Sequence, residues 1–110
     1  MIDLKGALAA LEGDRELLQD CLALLMEDLP LRLEDLRKVL AAGDLGHAAR
    51  IAHAIKGSVA VVGAVGLKNC AFALEAACAR EQLLEARERF ADLWRQWEEL
   101  CRFLTDEKLI

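Results

Sequence analysis

Proline occurs once in the 110 residues, tyrosine not at all, and aromatic residues make up only 5% of the chain. A chain with one proline has little to interrupt long helices. Alanine and leucine dominate the apolar share, and both favour helix over strand. No basic run occurs, and the net charge is −5 with a pI near 5.0. That balance argues against a nucleic-acid partner and against binding to an anionic membrane surface. No apolar stretch approaches the roughly 18 residues needed to span a bilayer. The opening MIDLKGAL lacks the basic segment and apolar core of a secretory leader, so a cytoplasmic location is expected. Cys21, Cys70, Cys78 and Cys101 form no CxxC pair. Each lies among apolar helical residues, where a reduced thiol acts as a small hydrophobe rather than as half of a disulfide framework.

What is present is a helical pattern. Apolar residues make up 55% and charged residues 30%, in a chain long enough for one domain with a sizeable core. A short helix is predicted over 4–11. Asp14 then reads as an N-cap with Glu16 in the first turn, opening a helix over 14–42. Leu18, Leu22, Leu25, Leu29, Leu36 and Leu40 line its inner side. Pro30 removes one backbone donor inside it, and a bend is expected there. Gly43 stops that helix and Asp44 caps the next, over 45–62. Its seam of Leu45, Ala48, Ala52, Ile55, Val59 and Val62 alternates steps of three and four, the spacing of a packed bundle helix. A fourth helix is predicted over 65–79, with Leu67, Cys70, Ala71, Leu74 and Cys78 inward. A fifth is predicted over 81–105, with Leu83, Ala86, Phe90, Leu93, Trp97, Leu100 and Leu104 inward. Trp97 falls on that seam and Trp94 beside it. Residues 106–110 are expected to fray. Four long amphipathic helices with short connections imply an all-α, antiparallel up-down four-helix bundle, the short first helix covering one end.

The third helix carries the residues that stand out. His53 follows the seam residue Ala52 and is turned about 100° from it, onto the rim of the buried stripe. Its neighbours at helical offsets are small: Ala49 four before, Gly57 four after, Ala60 seven after. Arg50, three before, and Lys56, three after, are cationic. The imidazole therefore stands in a clearing between two positive charges. Clearance admits another molecule's surface, and the cations favour a phosphate. Gly57 costs a helix interior about 1 kcal/mol relative to alanine, which suggests that something approaches closely there.

The run Ala52-His53-Ala54-Ile55-Lys56-Gly57-Ser58, followed by Gly63-Ala64, Leu67 and Leu74-Glu75, resembles the signature of the histidine phosphotransfer (Hpt) family. The upstream LEGDRELL and AAGDL segments are similar to the framing of that family, so the resemblance covers most of the chain. It implies that His53 is phosphorylated through Nε2 and that Lys56 steadies the phosphate. It also implies that Gly57 leaves room for a partner, and that Glu75 on the neighbouring helix holds the other ring nitrogen. An acceptor at Nδ1–H would fix the tautomer and leave the Nε2 lone pair outward. Arg50 is suggested by helical geometry as an electrostatic aid. Ser58 is assigned no chemistry. The implied partners are response-regulator receiver domains and a sensor histidine kinase, with a monomeric carrier between them. The implied activity is that of a phosphocarrier rather than an enzyme, because no Gly-rich nucleotide loop is present. No cofactor or metal is expected in the chain itself, the Mg²⁺ being supplied by the receiver. The docking surface is expected around His53 and near Pro30 and Leu31.

Four other readings share the helical pattern. The chain could serve as the phospho-acceptor module of a chemotaxis-type kinase, with an ATP-bound domain as donor. It could be a non-catalytic helical adaptor, against which the trio His53, Lys56 and Gly57 argues. A metal-binding bundle is disfavoured because His47 and His53 are six residues apart, about 120° around the helix, and no HxxxH or ExxH pair occurs. Use of His53 as a hydrolytic base lacks a nucleophile motif.

Overall fold

A computed structural model describes residues 2–107. Among these, five helices follow one another: α1 (Leu4–Ala10), α2 (Arg15–Ala41), α3 (Leu45–Val61), α4 (Val65–Ala79) and α5 (Leu83–Asp106). Helix α2 packs against α3, α3 against α4, α4 against α5, and α5 returns to α2, closing a four-helix bundle. The short α1 touches α2 at one end. The bundle is 41 Å long and 22 by 17 Å across, matching the length of a 27-residue helix at about 1.5 Å per residue.

Local chemistry explains where the helices begin and end. Asp14 accepts a hydrogen bond from the Leu17 backbone N–H, and Asp44 accepts from that of His47, each satisfying a donor that the first turn leaves open. The turn after α3 depends on Gly63. Its φ is +71°, and an added Cβ would lie 2.6 Å from the Asp3 carbonyl oxygen. That close approach is itself structural: the Asp3 N–H donates to the Gly63 carbonyl at 2.8 Å, and Ile2 pairs with Ala64 as an isolated bridge. The chain before α1 is thereby pinned to the α3–α4 turn.

The start of α5 differs from the sequence expectation. It begins at Leu83 rather than at Glu81, with Gln82 as its N-cap residue. Glu81 adopts φ +57°, a left-handed conformation that ends helical continuity. No glycine stands there to mark the turn, and a non-glycine residue takes the conformation at a cost of about 1–2 kcal/mol. Asp106 closes α5 and Glu107 follows as its C-cap; the remainder of the segment expected to fray, 108–110, lies outside the described residues. Helix α2 continues unbroken through Pro30, which is exposed. The missing N–H leaves the Met26 carbonyl without its helical partner.

The core is wholly apolar among the described residues. The α2 row contains Leu33 in addition to the expected leucines, so no gap separates Leu29 from Leu36. Leu45, Cys70, Leu83 and Phe90, expected inward, are only half-buried, because they sit at helix ends or at the edges of the inner stripes. Between α3 and α4 the buried residues include Ala48, Ala52, Ala71 and Ala77, all fully enclosed. Small residues let two helices approach closely. That matters for the site, because it brings the polar rim of α4 within side-chain reach of the rim of α3. The four thiols are free; Cys78 is buried and the others half-buried. Burial pushes the Cys70, Cys78 and Cys101 thiols up, which suits packing rather than reactivity.

Candidate functional site

His53 stands on the exposed rim of α3, its side chain 67% accessible. Its backbone is held by the buried residues on either side of it in the seam, Ala52 and Ile55. On α4, Leu74 is fully buried, which turns the adjacent Glu75 to the rim facing α3. The result is a hydrogen bond between His53 Nδ1 and Glu75 Oε2 at 2.8 Å. An ionised carboxylate only accepts, so Nδ1 carries the proton and donates it. The Nε2 nitrogen is left with its lone pair, on a ring that is mostly open to solvent.

The second carboxylate oxygen is also engaged. Lys56 Nζ donates to Glu75 Oε1 at 2.8 Å. One carboxylate thus bridges the imidazole and the ammonium. Both Lys56 and Glu75 are about three-quarters buried, so the pair is partly shielded from solvent. The hydrogen bond from Lys56, foremost, and that from His53 hold the Glu75 carboxyl below the usual carboxylate range, against the opposing effect of burial. The Lys56 ammonium also lies 5.3 Å from the centroid of the Phe72 ring, a cation–π contact.

Gly57 is exposed, and a Cβ built on it would meet nothing within 4 Å. No contact among the described residues therefore requires a glycine at this position. Arg50 is exposed on α3, one turn before His53, and neither ion pair of Glu75 includes it. Ser58 turns away: its hydroxyl donates to the Ala54 carbonyl at 3.1 Å.

Beyond Gly57, a shallow groove between α2 and α3 is lined by Leu24, Leu31, Ser58 and Val61, among others. Leu24 and Leu31 are about two-thirds exposed and lie along this groove. Pro30 adjoins this groove through Leu31.

Sequence spacing thus placed His53, Lys56, Gly57 and Arg50 on one face, as any helix must. The structure adds the arrangement of Glu75 between two donors, and Phe72 beneath one of them. Lys56 was expected to face a phosphate; its resting partner is Glu75. Phe72 had drawn no attention in the sequence, although it lies three residues before Glu75 on α4 and so shares its side of the helix. Among the described residues, no three His, Cys, Asp or Glu side chains cluster in a way that would hold a metal ion. No described helix is long and apolar enough to cross a membrane.

A family model described as "Hpt domain" matches residues 16–104, most of the chain. No curated protein sequence and no solved structure gives a significant match.

Proposed function

The chain belongs to the Hpt domain family, and from that premise we propose that His53 is its phosphoryl acceptor, loaded from one receiver-domain aspartate and discharged to another. Membership indicates histidine phosphotransfer in two-component systems, and Hpt domains are phosphocarrier modules rather than kinases. The relay role, the residues and the partners are our reading of the site.

The observation that carries this reading is the hydrogen bond from His53 Nδ1 to Glu75 on an otherwise exposed ring. It presents Nε2 outward in the nucleophilic form. In the loading step the Nε2 lone pair forms the N–P bond as the O–P bond of the aspartyl phosphate breaks, and the released electron pair returns to the aspartate carboxylate. The proton on Nδ1 stays in place, and Glu75 balances the positive charge that the ring acquires. The discharge step runs the same exchange in reverse with a second receiver. Such a transfer passes through a loose transition state, where positioning and charge neutralisation supply most of the catalysis. Lys56 supplies the nearer cation and Arg50 a more distant one. The Mg²⁺ belongs to the acidic pocket of the receiver.

Docking uses the open surface at Gly57 and the exposed leucines of the α2–α3 groove, Leu24 and Leu31. A sensor histidine kinase stands upstream, its own receiver being the first donor. One histidine on one bundle completes the site without a second copy, so a monomer suffices, and the location that fits such partners is the cytoplasm.

The test is incubation with a phosphorylated receiver and Mg²⁺, beside His53→Gln. The expected outcome is phosphate on the wild-type chain that is labile to acid and stable to base, and none on the variant. Uptake by His53→Gln equal to wild type would overturn the assignment of His53. Uptake only from an ATP-bound kinase domain would make the chain a kinase's acceptor module instead of a relay carrier.

A further inference from the structure

Phe72 is 61% exposed, whereas Leu67 and Leu74 of the same helix are buried. A solvated phenylalanine needs a reason, and the structure offers one within the chain. Its ring lies under the Lys56 ammonium, 5.3 Å from centroid to Nζ. Glu75, one turn further along α4, takes the same ammonium from the side at 2.8 Å. Helix α4 thus presents a carboxylate and an aromatic face three residues apart, and both close on one cation carried by α3.

The two contacts do different things. The carboxylate fixes Lys56 by a charge-assisted hydrogen bond, but it also neutralises the charge that a phosphate on His53 would use. The ring attracts the ammonium through its quadrupole and offers no competing negative charge. It also limits the rotamers of a side chain that otherwise has four flexible carbons. When a phosphoryl group arrives at Nε2 and draws Lys56 from Glu75, the ring is the contact that keeps the ammonium beside His53.

We propose that Phe72 is a positioning residue of the phosphotransfer site, acting through Lys56 by a cation–π contact. This rests on the reading of His53 as the phosphoryl acceptor. The role is exerted on Lys56 alone, and its effect is confined to where that ammonium stands.

The experiment compares wild type, Phe72→Leu, Phe72→Tyr, Lys56→Met and the double variant Phe72→Leu/Lys56→Met. The first readout is the NMR shift of the Lys56 Hε protons. They are expected upfield in wild type and Phe72→Tyr, through the ring current, and at ordinary values in Phe72→Leu. The second readout is the rate of phosphate uptake on His53 from two donors, a phosphorylated receiver and the small N–P donor phosphoramidate. Phe72→Leu is expected to slow uptake from both donors by about two- to fivefold, the worth of an exposed cation–π contact. Phe72→Tyr restores the rate, and Phe72→Leu adds nothing once Lys56 is methionine. Ordinary Hε shifts in wild type would overturn the proposal. So would a Phe72→Leu loss that persists beside Lys56→Met, or one confined to the receiver donor, which would make Phe72 a docking residue. Uptake by wild type from neither donor, with the ring-current shift intact, would sink the phosphotransfer reading, and the positioning role with it, while the contact itself stood.

Discussion

Two histidines lie on α3, six residues apart, both exposed, and their surroundings have little in common. His47 stands in the first turn. Its backbone N–H donates to Asp44 Oδ1, and its ring Nδ1 lies 3.8 Å from Asp44 Oδ2. Its described ring contact is thus local, three residues back and belonging to the cap of its own helix. His53 stands mid-helix, and its ring is held at 2.8 Å by a carboxylate 22 residues away on α4. That carboxylate is shared with Lys56, and the next turn of α3 is left open at Gly57. A histidine at a helix start serves the helix, whereas one oriented by a second helix has a single ring nitrogen committed and the other offered. The residue type is the same in both places; the difference is which element supplies the partner.

The comparison breaks most plainly if both histidines behave alike. His53→Gln is expected to abolish phosphate uptake, and His47→Gln to leave it near the wild-type rate, read as acid-labile phosphate on the intact chain. Equal loss in the two variants would mean that the contrast in ring partners has no chemical consequence.

The next effect tests the open turn. Gly57→Ala is expected to raise the unfolding free energy by about 1 kcal/mol, since alanine is the better helix former and its Cβ meets nothing. Phosphate transfer from a receiver is expected to fall in the same variant. Denaturant unfolding and transfer rate should therefore move in opposite directions. A drop in both would place the reason for Gly57 inside the fold rather than in a partner.

The smallest effect concerns the shared carboxylate. The Glu75 carboxyl is held down chiefly by the hydrogen bond from Lys56. A depressed folded-state value means that the bridge contributes its stability above the ordinary carboxylate range and loses it as pH falls through the depressed value. NMR titration is expected to find the Glu75 midpoint below that ordinary range, and Lys56→Met to move it up. A midpoint indifferent to Lys56→Met would leave the bridge without the coupling that its geometry implies.

Much of this was legible in the sequence because it depends on one helix at a time. The three-four alternation of Ala48, Ala52, Ile55 and Val59 marks a buried stripe in any packing arrangement, and those four residues are buried. Asp14 and Asp44 cap their helices because a carboxylate three residues before an open N–H is in reach by local geometry alone. The start of α5 was misplaced because Glu81 does the work usually left to glycine. Leu33 completes the buried row of α2 between Leu29 and Leu36. Phe72 was missed because an aromatic on the outer face of α4 has no meaning until its neighbour on α3 is known.

Local pattern is enough for five helical stretches, for the inner faces of the four long ones, and for the gathering of His53, Arg50, Lys56 and Gly57 on one side of α3. A helix of 3.6 residues per turn leaves no freedom in that. That Glu75 holds the second ring nitrogen of His53 is implied by the family resemblance and not by the spacing along one helix. The packing of α3 on α4 determines that one carboxylate oxygen takes the ring and the other takes Lys56, and that Phe72 lies under the same ammonium. The physical reason is that contacts across helices depend on how two helices are rotated and spaced against each other. That is set by the packing of buried alanines and leucines along the whole α3–α4 interface, and no local run of residues contains it.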